Sequence, residues 1–222
     1  MRRAPSWLVS ITDKLHIMRS DLWSEILQLT AEHLLLVLYA MTLAIAMGVP
    51  LGIYLSRKEA ARPWLLGFAS VMQTIPSLAL FGFLIPIPFI GGIGKRTVIV
   101  ALVLYALLPI LRNTFVGILG VEAAICESAV AMGMTDGQLL RQVQLPLAAP
   151  TIMAGIRVAT VTTIGTATIA ALIGGGGLGV FIFRGVSSLD TAQILAGAVP
   201  AALIALAADG GLGWVERKLS PA

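Results

Sequence analysis

Glu127, a glycine six residues later at Gly133, and the string Val143-Gln144-Leu145-Pro146 beyond it make a spaced polar segment between apolar stretches. Such a stretch is expected to lie across a membrane face with its small residues turned toward a partner. Ala123, Ala124, Ala129, Ala131, Leu139 and Leu140 support short helices on either side of a break at Gly133. A second pair with chemistry in it is Arg157 and Asp209, charges set in apolar surroundings. Two readings stand. They approach each other as an intramembrane ion pair, or Arg157 snorkels to lipid phosphates while Asp209 caps a helix break at Gly210-Gly211.

Bond-making and nucleotide chemistry find no support. The string Gly174-Gly175-Gly176-Gly177-Leu178-Gly179 satisfies G-x-G-x-x-G, but it follows an apolar helix without a βαβ context and reads as a flexible external turn. Gly94-Lys95-Arg96-Thr97 imitates a phosphate loop, yet Phe89 replaces the first glycine and Arg96 follows the lysine. His16 and His33 both precede the expected membrane core, and the spans hold no Ser/His, paired-Asp or metal-ligand constellation. Cys126, the single cysteine, excludes an internal disulfide and reads as a small apolar filler. The reading is therefore not an enzyme, with no cofactor and no metal.

The elements that must carry these residues are membrane helices. The 222 residues are 58% hydrophobic and 12% charged, with a mean hydropathy of +0.94, more apolar than one soluble core absorbs. A helix needs about 20 mostly apolar residues to cross about 30 Å of hydrocarbon. Spans are expected near residues 34–56, 64–86, 97–119, 151–173 and 192–213, inside a transmembrane domain at 31–215, with the polar segment at 120–149 as a loop. Residues 1–30 mix charges with Trp7, Leu8, Ile11, Leu15, Trp23 and Ile26, as an interfacial segment does. Residues 216–222 form a short tail. The fold class is all-α integral membrane.

Basic residues orient this arrangement. Arg57, Lys58, Arg62, Arg112, Arg141, Arg217 and Lys218 fall on one side of a five-span topology, which makes that side the cytoplasm and leaves the N-terminus outside. Lys95, Arg96 and Arg184 fall on the other side and make the vote modest. A net charge of +4 fits contact with anionic membrane lipid and gives no reason to expect nucleic acid.

Pro76, Pro86, Pro88 and Pro109 interrupt apolar helices and free carbonyls, which membrane depth tolerates only against protein or a water-filled cavity. Gln73, Pro76, Pro109, Thr163 and Thr166 are accordingly candidates for a pathway or a helix interface. The fourth span interleaves Thr160, Thr162, Thr163, Thr166 and Thr168 with small residues, which packing alone explains equally well.

The polar segment, Glu127-Ser128-Ala129 with Gly133 and Val143-Gln144-Leu145-Pro146, resembles the EAA loop of ABC-importer permeases. The literal Glu122-Ala123-Ala124 is a decoy, because only counting from Glu127 brings the glycine, the hydrophobic residue, the leucine and the proline into register. Ser128 stands where the family usually has alanine, and Val143 where isoleucine is more usual. The likeness extends to Met72-Gln73-Thr74-Ile75-Pro76-Ser77-Leu78-Ala79-Leu80, to the stretch from Leu104 to Asn113, and to Ala154-Gly155-Ile156-Arg157 on through Gly177-Leu178-Gly179. These look like permeases of osmoprotectant importers carrying glycine betaine, choline, carnitine or proline betaine, over roughly residues 34–213.

The resemblance implies a type I ABC-importer (MetI-like) permease fold of about five transmembrane helices with a cytoplasmic coupling helix, in the cell inner membrane. It implies that Glu127, Ser128, Ala129, Gly133, Val143, Leu145 and Pro146 couple the chain to a separate ATP-binding cassette ATPase. A second permease subunit, identical or related, and an extracytoplasmic solute-binding protein complete the set of partners. Permeases for methionine and other small solutes share the loop, so it does not single out the solute. An ion-coupled carrier would call for paired midplane acids and an inverted repeat, and neither is found.

Overall fold

The computed structural model describes the backbone of residues 6–220 and the side chains of residues 22–220; among these, every regular element is helical. The first helix, α1 (Ser6–Arg57), runs on through Pro50 to Arg57. Residues 6–30 of the expected interfacial segment and the expected span 34–56 thus share one helix. The side chains before residue 22, on which much of the interfacial reading rests, lie outside the described residues.

One stripe of α1 is buried: Leu29, His33, Leu36, Val37, Ala40, Met41, Ala44 and Leu55 recur at three- and four-residue spacing. Gly48 and Gly52 continue it as a G-x-x-x-G pair. A Cβ at Gly48 would stand 2.8 Å from Ile110, and one at Gly52 2.5 Å from Thr114, so these glycines set how closely α1 meets α4 (Lys95–Leu119).

Helix α4 is the centre of the bundle. Its most apolar window is 61% buried, against 11% for α9 (Thr191–Leu219), and it packs against α1, α2 (Arg62–Thr74) and α7 (Leu145–Ala167). Contact with α7 is close for the same reason as with α1: a Cβ at Gly155 would stand 2.5 Å from Asn113 and 2.8 Å from the Pro109 carbonyl. Helix α9 lies on the far side of α7.

The span expected at 64–86 is not one rod. It divides into α2 (Arg62–Thr74) and α3 (Ser77–Leu84), bent by 106° at Ile75-Pro76. Proline excludes the helical conformation from the residue before it, and Ile75 accordingly sits at ψ 127°. The Tyr105 hydroxyl of α4 donates to the Ile75 carbonyl released at the break. Among the described residues, four helices are long and apolar enough to span, or five with this bent pair.

Two further differences concern the polar segment and the glycine run. The loop expected at 120–149 contains α5 (Ala123–Ala131), but from α6 (Asp136–Gln138) onward the chain is already the helix that continues through α7. The glycine run expected to be a flexible turn is packed instead. Gly174, Gly176 and Gly177 hold φ values of 72°, 80° and 77°, and a Cβ at Gly177 would meet the buried His33 ring at 3.1 Å. His33 is therefore part of the packed α1 stripe rather than ahead of the core. A short helix, α8 (Gly179–Ser188), follows and forms a tight hairpin with α9.

At one end of the bundle, Glu32 pairs with Lys95 and also accepts from the Gly177 amide, and Glu25 pairs with Arg184 of α8. At the other end, Arg57 reaches the polar segment.

Candidate coupling site

The polar segment folds as two helices joined by a fixed turn. Helix α5 runs to Ala131, and Gly133 takes φ 87°, a left-handed value that suits glycine. The Met134 amide donates to the Ala129 carbonyl at 3.2 Å and the Gly133 amide to Val130 at 2.9 Å, the paired bonds of a Schellman cap. Two residues on, Thr135 and Gln138 form a reciprocal capping box that starts α6. The turn is thereby held from both sides.

Pro146 shapes what comes next. It has no amide hydrogen, and the preceding residues 139–144 wind as a π-helix in which the Leu145 amide bonds Leu140, five residues back. This wider turn leaves Val143 and Leu145 half-buried and Pro146 exposed, and it carries Gln144 toward the rest of the bundle. There the Arg57 guanidinium, in the last turn of α1, donates to Gln144 Oε1 at 2.9 Å and to the Asp136 carbonyl at 3.4 Å. Gln144 Nε2 reaches Cys126 Sγ on α5 at 3.9 Å, a weak contact. One glutamine side chain thus ties three elements together.

The outward surface of this unit is mixed. Glu127 is exposed, and so are Val130 at 54% and Met132 at 74%, while Ala129 is buried. The Ser128 hydroxyl donates back to the Ala124 carbonyl at 2.7 Å, which removes it as a donor to other groups. A hollow of about 340 Å3 lies beside Ser128, Ala129, Met132, Met134 and Val143. Nothing here resembles a catalytic arrangement; the geometry suits seating against another protein.

Arg157 and Asp209 are brought together. Nε and one terminal nitrogen of Arg157 donate to the two Asp209 oxygens at 2.6 and 2.8 Å, a bidentate pair between α7 and α9. Glu216 adds a third bond at 3.2 Å. Positions 209, 213 and 216 share one face of α9, and Gly213 between them leaves room for the guanidinium, since a Cβ there would stand 3.0 Å from it.

The pathway candidates scatter. Gln73 and Pro76 are exposed at the α2–α3 break, Thr166 is half-buried and bonds Thr162, whereas Pro109 and Thr163 lie inside the bundle. No single surface in this chain gathers all five.

Some of what matters was missed. From the sequence Arg57 reads only as a topological charge, and Gln144 carries no role within the motif string. Signals existed for two features: the Thr-x-x-Gln spacing announces the capping box, and Gly48-x-x-x-Gly52 announces close helix packing. No spacing rule announces Glu216 as a partner of Arg157, because the contact joins separate helices.

Comparison with known proteins finds relatives over most of the chain. The chain is 48% identical over 191 residues to the carnitine transport permease protein OpuCD of Listeria monocytogenes, covering 86% of this chain and 84% of that one. It is 46% identical over 198 residues to the choline transport system permease protein OpuBB of Bacillus subtilis, covering 89% and 90%. It is 43% identical over 195 residues to the osmoprotectant import permease protein OsmW of Salmonella typhimurium, covering 87% and 91%. Among solved structures, an inward-facing MetNI methionine ABC transporter aligns with a TM-score of 0.79 at 20% identity, over 90% of this chain and 98% of that one, which is evidence for the fold alone. Residues 40–221 match a family described as a binding-protein-dependent transport system inner membrane component, and the chain belongs to that family of multi-pass permease subunits.

Proposed function

We propose that this chain is the membrane permease of an ATP-driven importer for a small quaternary-amine osmoprotectant of the glycine betaine, choline, carnitine or proline betaine class. The observation that carries the mechanism is the rigid α5–Gly133–α6 unit, held to α1 through Arg57 and Gln144, which presents Glu127, Val130 and Met132 outward. A surface of this kind transmits force only if a partner grips it. That partner is a separate ATP-binding cassette subunit, and Glu127, Ser128, Ala129, Gly133, Val143, Leu145 and Pro146 form or shape the grip. The solute class follows from relatives whose names specify carnitine and choline.

In this reading the end bearing Arg57 and α5 faces the cytoplasm and the N-terminus lies outside. The basic residues Arg57, Lys58 and Arg62 support that orientation. Two permeases, identical or related, enclose the path, and an extracytoplasmic binding protein delivers the solute. Methionine is the nearest alternative cargo.

Proteoliposomes holding this chain with its ATPase, partner permease and binding protein decide the matter by uptake of labelled glycine betaine, choline and methionine. ATP-dependent uptake of a quaternary amine is expected. Methionine uptake would replace the solute and keep the mechanism, and flux without ATP would overturn the importer reading.

A further inference from the structure

Two basic residues lie more than a turn inside the spanning helices α4, α7 and α9, and they differ in what holds them. Arg157 is bonded to Asp209 and Glu216. Arg112 of α4 is exposed, and among the described residues it has neither an ion pair nor a hydrogen bond. It precedes Leu119, the last residue of α4, by seven positions, which puts its Cα about 10 Å inside the helix end at 1.5 Å of rise per residue. A charge left without a partner at that depth is costly.

Its surroundings offer room for an anion with an apolar tail. Between α2 and α4 a hollow of about 380 Å3 is lined by Leu66, Ser70, Leu108, Arg112, Phe115 and Val116, so one cation and one hydroxyl share an otherwise apolar wall. The nearby Arg62 is already committed: its guanidinium lies 5.1 Å over the Phe115 ring, donates to the Leu55 and Ser56 carbonyls and pairs with Glu59. From Arg57 to Arg62 the chain holds three cations and one carboxylate, and a field of that sign favours an anion. Helix α2 also exposes Trp64, Phe68 and Val71, a face suited to hydrocarbon with its tryptophan at the basic end, where a membrane interface places one.

A second copy of this chain brings no free carboxylate to this level. Glu25, Glu32, Glu59, Asp209 and Glu216 are all in ion pairs, and Asp190 caps α9. Glu122, Glu127 and Asp136 belong to the polar segment beyond the end of α4, and Asp13 and Asp21 precede Glu25 in α1, toward the opposite end of the bundle. The anion always at hand near the end of a spanning helix is the phosphate of a lipid.

We propose that the α2–α4 hollow binds an anionic phospholipid, whose phosphate oxygens accept from the Arg112 guanidinium while its first acyl carbons lie along Leu66, Leu108 and Val116. Ser70 offers a hydroxyl beside the phosphate. The proposal needs the membrane bundle alone and does not depend on which solute is carried.

The test titrates the assembled transporter in detergent with dioleoyl-phosphatidylglycerol, dioleoyl-phosphatidylcholine or glycerol 3-phosphate, and native mass spectrometry counts the bound lipid. Phosphatidylglycerol is expected to bind about tenfold more tightly than phosphatidylcholine, and excess glycerol 3-phosphate not to displace it. Arg112→Gln should weaken phosphatidylglycerol binding about tenfold and Arg112→Lys much less, both with an unchanged thermal midpoint before lipid is added. Ser70→Phe fills the hollow while leaving the charge in place, and it should weaken binding as well. Equal affinity in wild type and Arg112→Gln would overturn the proposal. Displacement by glycerol 3-phosphate would also overturn it, by making the site one for a soluble phosphate ester, and so would loss of permease pairing with lipid binding intact, which would assign Arg112 to the second permease.

Discussion

Two helices in this chain end with the same hydrogen bonds and opposite residues. Helix α5 closes on Gly133, and α8 closes on Leu189. At Gly133 the residue matches what the backbone requires, and open space surrounds the position where a Cβ would be, so conformation alone selects glycine. At Leu189 the residue opposes the backbone. The same cap geometry is met by a matched residue at one end and by an exposed, left-handed leucine at the other.

The comparison is broken most directly by placing a β-branched residue at the first cap. Gly133→Val should lower coupled uptake at least tenfold while membrane insertion and basal ATP hydrolysis persist, as measured by uptake per ATP hydrolysed. Gly133→Asn, which tolerates the left-handed region, should recover much of it. Unchanged uptake in the valine variant would remove the coupling role from this turn.

A smaller effect is expected at the tie behind the turn. Arg57→Ala and Gln144→Leu each release the polar unit from α1, and a loss of about three- to tenfold in coupling is expected, corresponding to roughly 0.7–1.4 kcal/mol. Cys126, the single thiol and half-buried, reports on the same event: maleimide labelling should speed up in both variants. If coupling falls with no change in labelling, the tie is not what holds the turn.

Farther from either cap, Asp209→Asn should lower the thermal midpoint by a few degrees, and more than Glu216→Gln does, because Asp209 accepts two bonds from Arg157 and Glu216 one. The effect is limited by partial exposure of all three side chains. Equal shifts would mean that the two carboxylates serve Arg157 alike. The smallest expected change sharpens the comparison from the other side: Leu189→Gly should stabilise the fold by about 1 kcal/mol, the approximate cost of a left-handed non-glycine residue, detected as a small rise in midpoint.

Much of the coupling segment was legible in the residues. Glu127, Gly133, Leu145 and Pro146 announce themselves by spacing, and Gly133 by its need for a left-handed backbone. The spans were legible from length and apolarity, because hydrocarbon leaves a chain few alternatives to helix. Less legible was the consequence of Pro76. A proline predicts an interruption, but the 106° bend depends on what receives the freed carbonyl, and here that is Tyr105, thirty residues away in another helix. The glycine run shows the same limit. Its flexibility was read from composition, whereas its rigidity comes from Glu32 and His33 packed against it.

By itself the sequence determined that this chain is a membrane helix bundle, where a stiff polar turn interrupts it, and which residues build that turn. These follow from local rules: apolar length, backbone preference and cap chemistry act within a few residues of one another. Tertiary structure alone decided that Gln144 is held by Arg57, that Arg157 is shared between Asp209 and Glu216, and that a leucine stands left-handed and exposed at the end of α8. Each of these depends on how distant helices approach, which is set by where glycines such as Gly48, Gly52, Gly155 and Gly213 allow two backbones, or a backbone and a guanidinium, to come close.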